Sequence, residues 1–180
     1  MFSRHSSLSV RHACAAAVLF ALGATAAQAD SAYSLHLAQG KTYQRLTLNW
    51  ESPVLWSRPL GETGRLELAM ELGLSAWQAD AGREPRRLAQ FSAVPLWRWW
   101  PSQEARWFVE AGVGPSLLSS SRFADRRLST AFQFADHLGL GYAIDRDTRL
   151  GLRGSHFSNA SIKRPNPGLD IYQLTLWRRF

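Results

Sequence analysis

The chain has 180 residues, with 21 Lys and Arg against 14 Asp and Glu and a formal net charge of +7. Its one cysteine, Cys14, lies in the N-terminal segment, so the rest of the chain can form neither a disulfide nor a thiol nucleophile. The basic excess would suit nucleic acid. Because the N-terminal segment predicts export from the cell, anionic lipid headgroups are the expected partners of this positive charge, and no nucleic acid partner is expected.

The N-terminal segment has the pattern of a signal peptide. Arg4 and Arg11 precede a run of small and apolar residues over 13–27, and Ala27-Gln28-Ala29 is a small-x-small cleavage pattern. We expect residues 1–29 to be a cleaved signal peptide and residues 30–180 to be one domain. A retained anchor is disfavoured because the run is Ala-rich and shorter than the roughly 20 residues of a membrane helix.

The remainder of the chain alternates with a period of two, as β-strands do. In residues 64–77 the leucines and Met70 share one face, and similar alternation recurs downstream. A strand of an outer-membrane barrel needs only about 9–11 such residues. The prediction is an all-β fold, an eight-stranded antiparallel transmembrane β-barrel. Its strands are expected at about 31–38, 42–52, 64–77, 87–99, 105–117, 129–144, 147–159 and 169–180.

Two further features favour a membrane barrel over a soluble β-sandwich. All eight tryptophans follow the signal segment, and most lie near predicted strand ends, where the aromatic girdles of barrels form. The last strand ends on the aromatic Phe180, with Leu174 and Leu176 at alternate positions before it, which resembles the signal read by the barrel assembly machinery. Arg178 is a mild departure from that apolar face.

The last predicted hairpin places three complementary groups on one face. His156 and Ser158 continue the outward parity of Leu152, and Asp170 has the outward parity of the final strand. A carboxylate that orients a histidine, and a histidine that accepts a serine proton, are the parts of an activated serine nucleophile. With the N-terminus in the periplasm, this hairpin opens at the cell surface, beside lipopolysaccharide. The alternative is that these are ordinary interfacial residues.

The segments 108–114, 128–140, 156–160 and 163–172 resemble the lipid A 3-O-deacylase (PagL) family, especially His156-Phe157-Ser158-Asn159. The resemblance implies an outer-membrane esterase that hydrolyses the 3-O-linked hydroxyacyl chain of lipid A, without metal or organic cofactor. By position it implies a catalytic triad of Ser158, His156 and Asp170. It also implies an oxyanion hole at Asn166, with backbone N–H groups near Ala160 and Ser161. The family usually has glutamate at the position of Asp170 and often glycine at that of Ser161.

Several alternatives remain open. A non-catalytic barrel acting as an adhesin or structural protein would not depend on Ser158, and an acyltransferase would share the site but use a different acceptor. Lys163 and Arg164 could meet lipid A phosphates or simply be solvated. The expected partners are lipopolysaccharide as substrate, outer-membrane lipids and the barrel assembly machinery, with a homodimer left open. Glu110 and Arg153 are expected in the barrel interior as polar filling or an ion pair.

Overall fold

The computed structural model describes residues 30–180, so the predicted signal peptide lies outside the described residues. Within this range the strands are β1 (Ala32–Gln39), β2 (Tyr43–Glu51), β3 (Trp56–Leu60), β4 (Gly64–Ala79), β5 (Arg87–Trp100), β6 (Trp107–Leu118), β7 (Arg122–Phe123), β8 (Arg126–Arg127), β9 (Phe132–Ala143), β10 (Thr148–Ser158) and β11 (Leu169–Arg179). Among residues 30–180, no helix is long and apolar enough to cross a membrane.

Eight of these strands close into an antiparallel barrel. The order around it is β1, β2, β4, β5, β6, β9, β10 and β11, and β11 pairs with β1 to complete the cylinder. The predicted eight-stranded barrel is therefore confirmed, and no predicted strand end differs by more than three residues from its observed counterpart. Because closure pairs each of these eight strands with two neighbours, the barrel wall has no free edge.

Three short strands were not predicted. β3 extends the sheet from β4, where Trp56 pairs with Leu68 beyond the end of β2. β7 and β8 form a separate two-stranded hairpin within the connection between β6 and β9. The segments are too short, two to five residues, for alternation to identify them.

Successive side chains of the barrel strands alternate between the interior and the outer surface. On β6, for example, Trp107, Val113 and Leu117 are exposed, while Phe108, Glu110 and Ser116 are buried. This confirms the predicted faces. The outer surface carries many large exposed apolar side chains, among them Leu35, Leu37, Leu74, Phe91, Leu138, Leu140, Leu150, Leu152, Leu174 and Leu176.

The interior contains a continuous network of ion pairs. Arg98 donates to both carboxylate oxygens of Glu51, at 2.7 and 2.5 Å, and to Glu110 at 3.1 Å. Arg153 donates to Glu110 at 2.8 Å and to Glu71 at 2.7 and 3.1 Å. The predicted interior position of Glu110 and Arg153 is thus confirmed, and each of these buried charges has a partner of opposite sign.

The tryptophans divide between the two faces. Trp56 packs edge-on against Trp97 and Trp99 against Trp107, with all four rings exposed on the outer surface. Three further indoles, those of Trp77, Trp100 and Trp177, are buried in the interior. The prediction that tryptophans near strand ends form outer girdles therefore does not hold for these three. Trp77 and Trp100 lie at opposite ends of the barrel, where their parity directs them inward and they fill its mouths.

The two ends of the barrel differ. The described termini lie at one end, together with the β2–β4, β5–β6 and β9–β10 connections. The opposite end, called here the loop end, carries the connections 40–42, 80–86, 119–131 and 159–168. The predicted catalytic hairpin, β10–β11, opens at the loop end.

Breaking the interior network should destabilise the barrel. Arg153→Met leaves Glu71 without an ion-pair partner among residues 30–180, and an uncompensated buried charge costs about 3–5 kcal/mol. We expect a clearly lower midpoint of thermal unfolding, measured by circular dichroism on the refolded barrel in detergent. Arg58→Met, at an exposed position of β3, is the control and should unfold like the wild type. Equal midpoints for all three proteins would contradict the importance of the network.

Candidate active site

His156 and Asp170 are direct cross-strand neighbours in the β10–β11 hairpin. The His156 Nδ1 atom lies 2.7 Å from Asp170 Oδ1, and the side chains are 45% and 71% exposed. Direct pairs on adjacent antiparallel strands have Cβ atoms about 4.5–5.5 Å apart, so an aspartate is long enough to reach the imidazole. The sheet register therefore sets this contact.

Ser158 lies two residues beyond His156, at the end of β10. Although its parity is outward, the residue is only 9% exposed. Its Oγ accepts a hydrogen bond from the backbone N–H of Ala160 at 3.4 Å. Among the described residues no hydrogen bond joins Ser158 Oγ to His156, although the two residues are only two positions apart on β10.

The chain turns sharply after Ser158. Ala160 and Ser161 have φ values of 49° and 62°, in the left-handed region that non-glycine residues seldom adopt. Asn159 is fully buried, and its Nδ2 donates to the carbonyls of Lys163 and Leu128. The backbone N–H of Asn159 donates to Asn166 Oδ1 at 3.1 Å, which brings Asn166 next to the serine. The structure thus gathers the residues of the predicted oxyanion hole around one turn.

Gly168 lies directly against the His156 ring, at its Cε1–Nε2 edge. A Cβ atom added to Gly168 would be 2.5 Å from His156 Cε1 and 3.2 Å from Nε2, the ring nitrogen that does not face Asp170. Gly168 also has a φ of +64°, which glycine adopts without steric cost. From the sequence, Gly168 was part of the turn segment 165–168 and of the family signature, but its contact with His156 was not predicted.

Tyr43 holds the backbone of Asp170. The Tyr43 hydroxyl donates to the Asp170 carbonyl at 3.2 Å and accepts from the Asp170 N–H at 3.1 Å. The pairing of β11 with β1 ends at Tyr172, opposite Gln39, so the Asp170 backbone has no strand partner on that side. The tyrosine replaces it, and buried backbone groups require such partners.

The β6–β9 connection contacts loop 159–168. Besides the bond from Asn159 to the Leu128 carbonyl, Ser129 Oγ donates to the Pro165 carbonyl at 2.8 Å. Arg126 donates to the Gly168 carbonyl at 3.2 Å. Leu128 itself is fully buried, so the supporting surface is anchored in the apolar core of the loop end.

A second acidic residue flanks His156. Asp136 is directly opposite His156 on β9, so the histidine lies between two carboxylate-bearing neighbours. Only Asp170 makes a hydrogen bond with the imidazole among the described residues. Asp136 lies in the predicted strand 129–144, and the alternation there places it on the outer face. The sequence did not show that it is opposite His156, because that depends on the register of β9 against β10.

Comparisons with known proteins give matches over most of the chain. The model of the family described as lipid A 3-O-deacylase (PagL) matches residues 42–178. The chain is 51% identical over 167 residues to the lipid A deacylase PagL of Bordetella bronchiseptica, covering 91% of this chain and 93% of the relative. It is 31% identical over 169 residues to the lipid A deacylase PagL of Pseudomonas aeruginosa, covering 94% and 89%.

Solved structures show the same architecture. A crystal structure of the outer membrane enzyme PagL superimposes with a TM-score of 0.69 and 26% identity, covering 84% of this chain and 100% of that chain. The outer membrane protein Ail of Yersinia pestis shares the fold alone, with a TM-score of 0.50 and 10% identity over 85% of this chain and 100% of that chain. This outer-membrane barrel belongs to the lipid A 3-O-deacylase (PagL) family, as its sequence predicted.

Proposed function

We propose that this protein hydrolyses the ester that links the 3-O-hydroxyacyl chain to lipid A, with Ser158 as nucleophile, His156 as base and Asp170 as orienting acid. The observation that carries the proposal is the 2.7 Å contact of His156 with Asp170 on the outer surface, two residues before Ser158 on β10. Membership in the lipid A 3-O-deacylase family supports the substrate.

The hydrogen bond to Asp170 sets the tautomer of His156. When Nδ1–H donates a hydrogen bond to the carboxylate, Nε2 carries no proton and can accept the proton of Ser158 Oγ. The serine oxygen then attacks the ester carbonyl, and the histidine returns the proton to the departing sugar oxygen. Water releases the acyl chain from Ser158 in a second step by the same route.

The turn after Ser158 supplies donors for the developing oxyanion. The Ala160 N–H already points at Ser158 Oγ, and the backbone N–H of Ser161 follows it in the same left-handed turn. Because Asn166 Oδ1 accepts from Asn159, its Nδ2 is the amide atom that remains to donate. Fixed donors aimed at the reacting carbonyl are worth about a hundredfold to a thousandfold each in rate.

A notch on the outer surface beside His156 suits the acyl chain. Gly154 has outward parity, and its partners Leu138 and Tyr172 stand on either side. A Cβ added to Gly154 would come no closer than 3.9 Å to either neighbour, so a methyl-sized group fits between them without a clash. Both neighbouring side chains are exposed and apolar for most of their length. We place the lipid-facing entry of the hydroxyacyl chain along this notch.

The central test is Ser158→Ala. Loss of the nucleophile should lower deacylation at least about a thousandfold, since single triad deletions commonly cost that much or more. The measurement is the mass spectrum of lipid A from an outer membrane containing the protein. The wild type should remove one hydroxyacyl chain and release it as free fatty acid, whereas the variant should leave lipid A intact.

Ser155→Ala is the matched control for Ser158→Ala. Ser155 is on the same strand but faces the interior, where it accepts a hydrogen bond from Gln173. This variant should keep deacylase activity. A folded wild-type protein that leaves ester-bearing lipid A unchanged, or an active Ser158→Ala variant, would refute the proposal. Transfer of the chain to another lipid would identify an acyltransferase instead.

Asp170→Asn tests the orienting role of the carboxylate. An amide removes the charge that stabilises the imidazolium, so we expect kcat to fall by about a hundredfold or more. Asp136→Asn is the matched control because Asp136 flanks the same histidine from β9 without bonding to it. Steady-state kinetics on detergent-dispersed lipid A should show a much smaller loss for the control. Equal losses would mean that the two acids share the role.

Gly168→Ala should reduce activity by crowding His156. The added methyl group would be 2.5 Å from the ring, so the imidazole must leave its position between Ser158 and Asp170. Gly82→Ala is the control: it has a similar φ of +82° but no atom within 4 Å of the added Cβ. Backbone strain is therefore common to both variants, and only Gly168→Ala should lose kcat. Similar kinetics for the two would contradict a positioning role for Gly168.

A further inference from the structure

The β7–β8 hairpin at the loop end forms one wall of a surface pocket. The pocket, called here the arginine pocket, has a volume of about 460 Å³. Its lining consists of three basic residues, two acidic residues and a proline: Arg122, Arg126, Arg127, Glu84, Asp125 and Pro85. None of these residues belongs to the triad or to the oxyanion turn.

Among residues 30–180, neither Glu84 nor Asp125 forms an ion pair with the three arginines that line the pocket. Asp125 Oδ1 accepts from the Glu84 N–H at 2.9 Å and Oδ2 from Arg83 at 3.0 Å. These two bonds, the backbone one first, hold the pKa of Asp125 below its usual range. Among residues 30–180, neither Arg122 nor Arg127 has a carboxylate partner. The pocket therefore presents unpaired guanidinium groups to the surroundings.

The hairpin is held firmly in place. Phe123 is fully buried, and its ring packs 5.5 Å from Tyr43 and 5.9 Å from Trp77. The N–H groups of Ala124 and Asp125 donate to the carbonyls of the 84–85 segment at 3.1 and 2.8 Å. Arginine groups on such an anchored hairpin lose less conformational freedom when a ligand binds than arginines on a free loop would.

The pocket is connected to the catalytic histidine through two contacts. Arg126 lines the pocket and donates to the Gly168 carbonyl at 3.2 Å. Gly168 packs in turn against the His156 ring. Two contacts, Arg126 with Gly168 and Gly168 with His156, therefore separate the pocket lining from the histidine beside Ser158.

We propose that the arginine pocket binds a phosphate group of the same lipid A molecule whose ester reacts at Ser158. The planar guanidinium fork matches phosphate oxygens in pairs, which favours this ligand over a neutral sugar. Lipid A is an acylated glucosamine disaccharide that carries phosphates, so one molecule can offer both groups. The inference rests on the proposed function for the choice of substrate, but its binding test does not need catalysis.

The test measures binding in the Ser158→Ala background, so that no substrate is consumed. Full-length protein refolded in detergent is titrated with fluorescent lipid A, either phosphorylated or chemically dephosphorylated. We expect phosphorylated lipid A to bind about tenfold more tightly than the dephosphorylated form. R122Q/R127Q should remove this difference by weakening only the phosphorylated ligand, and the preference should decrease as salt is raised.

R86Q/R87Q is the matched control. It removes the same two charges at the same end of the barrel, at exposed residues that do not line the pocket. The phosphate preference should survive in this variant. If both double variants lose it equally, general surface charge and not the pocket is responsible, and the proposal is wrong. It is also wrong if the parent shows no phosphate preference.

A second titration, with two lipids present, distinguishes binding of the substrate's own phosphate from binding of a neighbouring lipid's phosphate. Dephosphorylated, ester-bearing lipid A is titrated in the presence of phosphorylated lipid A that lacks the 3-linked chain. Continued weak binding supports recognition within one molecule, whereas restored binding would assign the pocket to a neighbour and overturn that part of the proposal. In kinetics with the active enzyme, R122Q/R127Q should raise KM about tenfold with little change in kcat.

Discussion

Closure of the barrel is the constraint on which the rest of the structure depends. Because every barrel strand is hydrogen-bonded on both sides, its side chains must point alternately into the cylinder and away from it. The interior can then hold the alternating charges of Glu51, Arg98, Glu110, Arg153 and Glu71, provided that each has a partner. The same alternation assigns His156 to the outer surface and Phe157 to the interior, so a one-residue slip of β10 would remove the site.

The loop end shows how a strained turn can be held on an otherwise regular scaffold. The β6–β9 connection covers the barrel mouth with Phe123 and Leu128. It binds loop 159–168 at the carbonyls of Pro165 and Gly168 and at the side-chain amide of Asn159. Ala160 and Ser161 keep an unfavourable backbone conformation within this frame. Such conformations persist only where surrounding contacts determine them, and they are common at functional sites.

The sequence predicted the barrel well because the alternation of apolar side chains is a local property. It located eight strands and assigned the faces of Leu152, His156 and Asp170 correctly. It could not predict contacts that depend on where loops fold back, such as Tyr43 with the Asp170 backbone or Arg126 with Gly168. These pairs are separated by 127 and 42 residues, and no periodic pattern connects them.

The inward tryptophans show that position near a strand end does not by itself assign a face. Composition and position near strand ends are the same for a girdle residue as for Trp77 or Trp100. Parity separates the two classes: in the alternating run 64–77, Trp77 has the opposite parity to Leu72 and Leu74 and so faces inward. Contacts in the interior stabilise the inward position of Trp77. Its indole N–H donates to Gln90 at 2.8 Å, and its ring packs against Phe123 and Phe157.

The aspartate at position 170 shows how register can compensate for side-chain length. The family pattern usually has the longer glutamate, and one methylene less could have left the imidazole without a partner. Because His156 and Asp170 are directly opposite, and not diagonal, the shorter chain reaches Nδ1 at 2.7 Å. Tyr43 fixes the backbone from which this shorter chain extends. An acid with fewer rotatable bonds also loses less rotamer freedom when it is held, so the substitution is compatible with a well-oriented histidine.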